Sequence, residues 1–331
     1  MEILKIDTLK KLSDLELMFD ENKLQINFFQ SIKFLILYIE FYKKDFEIYL
    51  IKEKSNFIIL PLNNFKYKKI SFCGFIGTPL ISEENDAMHN VKNFNQFKNM
   101  MDYFFLNIKK KYFFHNIKNG FFRMYMSKNF HEVERVLTNT IKLNDENFTD
   151  NSVLLSNFKK KMSYNLRKFN NDTNLDVKKI QMINLDQSLI KSLDVYKFIL
   201  ENKNIKIQNY YKEIINFWLY ISNSNIAKIN VMKIENLILS LVINIKFQDK
   251  FYYILPCYNK KFHKYSFGKF HLYELIKECK NNRTFTFFLG PGKELYKKEF
   301  LLDNSSMSNF TNSRSLRLYY LIKKIAHEII N

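Results

Sequence analysis

A carboxylate, a phenol and an amine fall within four residues of one another at Glu294, Tyr296 and Lys297. They follow Gly290-Pro291-Gly292, in a chain with only six glycines and four prolines. The preceding run, 285–289, is wholly apolar or nearly so and reads as a buried strand. Glycines just after such a strand allow a sharp exit at the sheet's end. A tyrosine placed there can donate a proton to a leaving group, and a lysine can hold an anion. A Tyr and a Lys on the first turn of a solvated helix would give the same sequence.

A second constellation is Lys264-Tyr265-Ser266-Phe267-Gly268-Lys269. An apolar strand ends, a short loop follows, and a helix begins near 270. Backbone N–H groups at a helix N-terminus attract anions, and glycine lets a ligand approach the backbone. Lys264 and Lys269 flank the loop and could meet phosphate charge. One glycine before a helix is also an ordinary cap. A third constellation is the basic stretch 156–171, with Lys159, Lys160, Lys161, Arg167 and Lys168 pointing to several sides. A solvated face accounts for most of them, and an anionic substrate group for the rest.

The histidines do not assemble. His263 and His271 flank the glycine loop, and His89, His115, His131 and His327 stand apart. Cys73, Cys257 and Cys279 have no metal-like spacing, so neither a zinc site nor a disulfide framework is expected. Cys257, near the end of an apolar run, reads as a small core residue.

The elements that must position these groups alternate in type. Residues 9–19 and 30–43 read as amphipathic helices. Residues 46–62 form two strands joined by a polar turn at 52–56, and 70–81 a third strand with a Gly-Thr-Pro loop. An acidic loop follows at 83–88, then a helix at 94–110 and a strand at 120–127. The chain turns polar over 128–150, and 144–151 is the expected boundary loop. Helices are expected at 156–171, 186–200 and 208–222. A three-stranded meander follows at 226–236, 237–248 and 250–259, then the glycine loop, a helix at 270–282, a strand, and a terminal helix at 313–330. That last helix sets Leu318, Leu321, Ile322, Ile325 and Ile329 against Arg314, Arg317, Lys323 and Lys324. Such a helix docks on its own core or lies on anionic lipid.

The formal charge is +19, from 52 basic and 33 acidic side chains, which invites a polyanion partner. Only six of the basic residues are arginine, the preferred fork for phosphate and base edges. The abundance of Lys, Asn, Ile, Phe and Tyr is that of A/T-rich codons, so much of the charge needs no nucleic acid to explain it. The first residues have no signal-peptide core, and the run 34–42 is too short to span a bilayer. A soluble cytoplasmic protein is expected.

At 265–297 the residues resemble the CelD-like branch of the GNAT acyltransferases, which is related to the Fem-type peptidoglycan aminoacyl transferases. That family opens a helix with Tyr-Ser-Pro-Gly; here Tyr265-Ser266-Phe267-Gly268 stands in its place, with phenylalanine for proline. It ends the next strand in Asp-Phe, turns on a glycine and continues Glu-x-Tyr-Lys. Here Phe288-Leu289, Gly292, Glu294, Tyr296 and Lys297 follow that order. Upstream, the helix around Arg167 and the segments 28–31, 59–62, 72–79 and 84–86 look like the same family. Phe288 is the departure that matters, because relatives carry an acid there.

The resemblance implies an α/β (α+β) chain of two tandem GNAT-like domains, 1–148 and 149–331, each a mixed, mostly antiparallel sheet flanked by helices. The loop Lys264, Tyr265, Ser266, Gly268 and Lys269 would then bind the phosphates of acetyl-CoA or another acyl-CoA, or the arm of an acyl carrier protein. Glu294 would orient the acceptor or relay its proton, and Tyr296 would protonate the departing thiolate. Lys297 and Arg167 would meet anionic substrate groups, and Gly292 would line the acceptor side. The acceptor would be an amino group on a sugar, an amino acid or a lipid-linked precursor, in cell-surface polysaccharide assembly, and contact with a membrane surface is compatible with it. Two other readings stay open: a Fem-like transferase using aminoacyl-tRNA, and a binding protein that kept the fold without the chemistry.

Overall fold

A computed structural model describes residues 1–18, 24, 26–43, 46–67, 69–77, 81, 84–143, 153–185, 195–203, 209–282, 286–291, 296–297, 300 and 303–330. The chain forms two compact units, Met1–Leu137 with Ser306–Asn331, and Thr138–Ser305. The sequence pointed to a single boundary at 148/149. The units instead divide between Leu137 and Thr138 and again between Ser305 and Ser306, and the C-terminal segment belongs to the first unit.

In the first unit β1 (Glu2–Ile6), β2 (Glu47–Glu53), β3 (Asn56–Tyr67) and β4 (Ile70–Phe75) pair in that order, all antiparallel, and the short β5 (Met88–His89) pairs with β3. The expected turn at 52–56 is the β2–β3 hairpin, with Lys54 at φ 55°. Helices α1 (Leu9–Met18), α2 (Ile32–Tyr42), α3 (Phe94–Asn107) and α4 (Phe121–Asn129) belong to this unit. A capping box between Asn27 and Gln30 precedes α2, and Ser31 caps it by accepting from the Phe34 N–H. Aromatic side chains dominate the core: Phe75, Phe97, Phe104, Tyr112, Phe114 and Phe122 are all buried. β6 (Phe113–Ile117) pairs antiparallel with β13 (Asp303–Thr311), and the terminal α9 (Arg314–Ile330) follows.

The stretch 120–127 is not the strand its aromatic content suggested. It forms α4, because Phe122, Tyr125 and Met126 recur at helical spacing and share one buried face. The polar region after it is β7 (His131–Lys142), which the sequence did not reveal.

In the second unit the strand order is β7, β12 (Thr286–Pro291), β11 (Lys250–Tyr258), β10 (Leu237–Phe247), β9 (Ala227–Ile234) and β8 (Ile180–Leu185). Every neighbouring pair is antiparallel except β11 and β12. The meander thus sits as its apolar runs predicted. Helices α5 (Val153–Thr173), α6 (Val195–Asn202), α7 (Asn209–Asn223) and α8 (Phe267–Asn281) complete the unit. Phe158 and Met162 of α5 and Leu272, Leu275 and Ile276 of α8 pack with Val242, Phe251, Tyr253, Phe287 and Leu289 of the sheet. The chain is therefore mixed α/β, rich in antiparallel pairs and flanked by helices.

Candidate functional site

The parallel pair β11–β12 is short. Lys250, Phe251 and Tyr252 face Thr286, Phe287 and Phe288, and the pairing ends there. Both strands bend at once. In β11 the register against β10 slips past Ile254, since Ile243 faces Leu255 while Asn244 faces Tyr253. In β12 the register against β7 slips between Phe288 and Pro291, and Gly290 takes φ 76°. A positive φ is the conformation glycine allows without strain, and a bulge bends the strand that carries it. Two bulges just beyond the last paired residues turn the neighbouring parallel strands apart, and among the described residues nothing pairs with the far half of β11 on that side.

β11 leads to the glycine loop. Asn259 pins its start: its N–H donates to Leu239 O at 2.9 Å, its side-chain amide donates to Ile238 O at 3.0 Å, and its Oδ1 accepts from the Lys261 N–H. A 3-10 segment, Lys260–Tyr265, follows, and Ser266 in the left-handed region (φ 61°) turns the chain into α8. The Ser266 side chain makes no capping bond, while its carbonyl accepts from the Lys269 and Phe270 N–H groups. The N–H groups of Phe267 and Gly268 have no acceptor among the described residues, as the first turn of any uncapped helix leaves them. They are the anion-attracting end of α8.

A side chain at Gly268 would also press on its neighbour. A Cβ there would lie 3.2 Å from Cδ1 of Tyr258, at the end of β11. The Tyr258 ring is exposed and covers the first turn of α8.

Two of the candidate phosphate contacts are already engaged. Tyr265 is buried among Phe169, Phe262 and Phe267, and its hydroxyl donates to Asp172 Oδ2 at 2.6 Å. The Lys264 ammonium donates to the same oxygen at 2.8 Å. These bonds, Lys264 first, hold the Asp172 carboxyl below the usual carboxylate range. They fasten the last turns of α5 to the loop. Lys264 is exposed and Lys269 partly so. Arg167 is exposed on α5, donates to Ser163 O, and makes no contact with the α8 terminus among the described residues.

His271, one turn into α8, is fully buried. Its Nε2 lies 2.8 Å from Asn230 Oδ1 and its Nδ1 3.0 Å from the Ser240 hydroxyl. Ser240 also reaches Cys257 O at 3.1 Å, and Asn230 donates to Asn184 Oδ1 at 2.9 Å. Burial pushes the His271 pKa down to about 3, so the ring is neutral. Asn230 Oδ1 can only accept, so Nε2 carries the proton and Nδ1 accepts from Ser240. One ring thus ties the start of α8 to β9 through Asn230 and to β10 through Ser240, whose single hydroxyl proton is then spent on Nδ1 and not on Cys257 O. The sequence signal was faint but present: Asn230 and Ser240 each stand between apolar neighbours in β9 and β10.

Phe288 is buried at the last β12 residue that pairs with β11, its ring 5.4 Å from that of Tyr252. Past the bulge, Tyr296 is partly buried against the cluster that holds Tyr253 and Leu289. Burial, and then the nearby Tyr296, push the Tyr253 phenol well above its usual range. Lys297 is buried, and its ammonium donates to the carbonyls of Pro291 (3.1 Å) and Gly290 (3.4 Å), while Asn139 also donates to Gly290 O. Lys297 therefore clamps the bulge that parts the strands. Gly292 and Glu294 lie outside the described residues. The Cys257 thiol is pushed up to about 11 by burial, which suits a core residue better than a nucleophile. No cluster of His, Cys, Asp or Glu able to hold a metal occurs among the described residues.

Residues 224–298 match the family model "Acetyltransferase (GNAT) domain", a span that runs from the turn before β9 through β10, β11, α8 and β12. No curated protein matches the chain. Among solved structures, FemX is similar over 97% of this chain and 100% of its own, at 11% identity and TM-score 0.59. L-PGS from Bacillus licheniformis is similar over 96% of both chains, at 11% identity and TM-score 0.56. A C-terminal DUF2156 domain from Agrobacterium fabrum covers 83% of this chain and 86% of its own, at 9% identity and TM-score 0.53. At such identities the likeness is one of fold.

Proposed function

We propose that this chain, a GNAT-superfamily acyltransferase with the fold of FemX and L-PGS, moves an acyl group from an acyl-CoA thioester to a primary amine by direct attack. The observation that carries this reading is the parting of β11 and β12 after Tyr252 and Phe288, with the uncapped start of α8 at the end of β11. An extended thioester arm can pair with the free edge of β11, and its phosphates can meet the N–H groups of Phe267 and Gly268, with Lys269 one residue on. Lys264 and Tyr265 serve this site by holding the loop to Asp172.

In the reaction the amine nitrogen forms a bond to the acyl carbon and the C–S bond breaks. The amine's proton leaves to a base or water, and the thiolate takes up a proton. Holding both reactants in line accounts for most of the acceleration. Tyr296 is the group we assign to protonate the thiolate, beside the bulge clamped by Lys297. Glu294 is assigned to orienting the acceptor, and Gly292 and Arg167 to binding it. Phe288 offers no carboxylate, so whatever an acid at that position does, orienting the acceptor or taking its proton, is done here by another group or not at all. Each of the two units is read as one GNAT-like repeat, the second carrying the donor site. The acceptor class is an amino group of a sugar, an amino acid or a lipid-linked precursor of the cell envelope.

A second reading is favoured by two findings. The likeness to FemX takes in all but 3% of the chain, and the net charge of +19 suits a polyanionic donor. In that case the donor is an aminoacyl-tRNA ester and the same amine attack applies. Thermal shift with acetyl-CoA, CoA and tRNA separates the two. Stabilisation by CoA, together with thiol release in the presence of amines, supports the first. No shift with any thioester, alongside tRNA binding that weakens steeply with salt, supports the second and overturns the first. CoA binding without thiol release on any amine leaves a binding protein. Tyr296→Phe is expected to lower turnover about a hundredfold with donor affinity unchanged; unchanged turnover removes its assignment.

A further inference from the structure

The terminal helix α9 presents an apolar face that nothing in the donor site uses. Leu316 and Tyr320 fix its inner side, packing with Phe72 and Phe113 and against Phe65, Tyr67, Ile70 and Val133. The Tyr320 hydroxyl lies 3.4 Å from that of Tyr67, and Lys323 reaches Glu134 at 3.7 Å. The orientation of the helix about its own axis is therefore fixed by its contacts.

That orientation turns Leu318, Leu321 and Ile322 outward, at 57%, 53% and 57% exposure, with Tyr319 beside them at 36%. The spacing i, i+3, i+4 puts the three aliphatic side chains side by side. Exposed large hydrophobics elsewhere among the described residues are scattered, whereas these four fall within five positions. Arg314 and Arg317 are exposed one turn ahead of Leu318 and Leu321, on the same outward side. Two of the chain's six arginines thus flank the densest exposed apolar patch among the described residues. No helix among the described residues is long and apolar enough to cross a membrane.

We infer that α9 docks this chain on an anionic lipid surface, with Leu318, Leu321 and Ile322 entering the acyl boundary and Arg314 and Arg317 meeting the lipid phosphates. Aliphatic residues at the centre of a basic helical face match the pattern of helices that lie in the interface plane. Anionic lipid adds attraction for each nearby arginine.

Co-sedimentation of the whole chain with vesicles tests this. The native chain is expected to pellet with vesicles of phosphatidylcholine mixed with phosphatidylglycerol, and far less with phosphatidylcholine alone. The exposed double substitution Leu321→Asp, Ile322→Asp is expected to weaken the anionic binding at least about tenfold while leaving the thermal melt unchanged. Arg314→Glu with Arg317→Glu is expected to weaken it by about tenfold or more and to flatten its salt dependence. Absence of binding by the native chain, or equal binding by the native chain and the Leu321→Asp, Ile322→Asp variant, overturns the inference. So does a native dimer in light scattering that the same variant dissolves, which makes the face a contact between copies.

Discussion

Each unit contains a strand, a turn and a helix in succession, and the two ends of the turns differ. In the first unit β6 passes through Lys118-Asn119-Gly120 into α4. The cap residue Gly120 has no side chain to offer, and a Cβ there would lie 2.9 Å from Oδ2 of Asp86. The chain's own carboxylate therefore sits at the start of that helix. In the second unit β11 passes through the longer segment 259–266 into α8, where Gly268 faces an exposed tyrosine ring and no carboxylate. The contrast teaches that the same helix-end electrostatics can be closed from within or left open to a ligand.

The largest expected difference between the two glycines follows. Gly268→Trp drives an indole into Tyr258 and over the Phe267 and Gly268 N–H groups. We expect at least about a thousandfold loss in kcat/KM for the thioester and no CoA-dependent thermal shift. Gly120→Ala pushes against Asp86 in the other unit. It should destabilise by roughly 1–3 kcal/mol, read by denaturant unfolding, and leave the CoA shift intact. Loss of the CoA shift in both variants would break the division of roles between the units.

The second difference lies in the buried polar groups behind each helix. His271→Ala leaves Asn230 and Ser240 buried without their partner, at a cost of about 2–3 kcal/mol. Because the ring positions the start of α8, we expect donor KM to rise more than kcat falls, with partial rescue by His271→Gln. The pH dependence carries a sign. The folded ring takes a proton only near pH 3, whereas the unfolded ring takes one near 6.5. Stability is complete above 6.5 and falls as pH drops from there toward 3. His115, buried in the first unit, is likewise pushed down to about 3 by burial and adds to the same limb.

Asp86 runs the other way. Burial first, opposed by Lys118, raises its carboxyl to about 7 from 3.8. The unfolded chain releases that proton first, so this contribution falls as pH rises from about 4 to 7 and is level above. Asp86→Asn should therefore gain on the native chain between pH 5 and 8, by on the order of 1–3 kcal/mol in chemical denaturation. A pH-independent difference would mean that Asp86 is ionised throughout, and the closed helix end would then be an ordinary charged cap.

Much of the second unit was legible before its structure. Apolar runs of strand length bounded by polar turns fixed β9, β10 and β11, and scarce glycines marked both the loop before α8 and the bulge after Phe288. What stayed hidden depended on partners far away in the chain. β13 reads Asp-Asn-Ser-Ser-Met-Ser-Asn-Phe-Thr, too polar for a core strand by its own pattern. Its second half, 307–311, is buried because the polar side chains there are satisfied: Ser308 donates to Glu132, Asn309 to Glu134, and Thr311 to Tyr112 O. α4 was misread because Phe and Tyr are enriched in strands, and only its packing decides the period. Lys297 was read as an anion holder, although a buried ammonium between two bulge carbonyls gives no sign of itself in sequence.

The smallest expected effect separates the loop's residues from one another. By composition Lys264 and Lys269 are equivalent flanking cations, and the structure makes them unequal. Lys264 is tied to Asp172 across to α5, an exposed pair of the kind worth at most about 1 kcal/mol. Lys269 follows the open N–H groups directly. Lys264→Ala should change donor KM by less than about threefold, since its charge is already met by Asp172. Lys269→Ala should raise it by about tenfold, with a flatter salt dependence, as one charge-assisted phosphate contact is lost. Asp172→Asn sharpens the point, because it frees Lys264. If donor KM then falls, the carboxylate competes with the donor's phosphate for that ammonium; if it holds or rises, Asp172 acts only as the brace that keeps the open helix end in place.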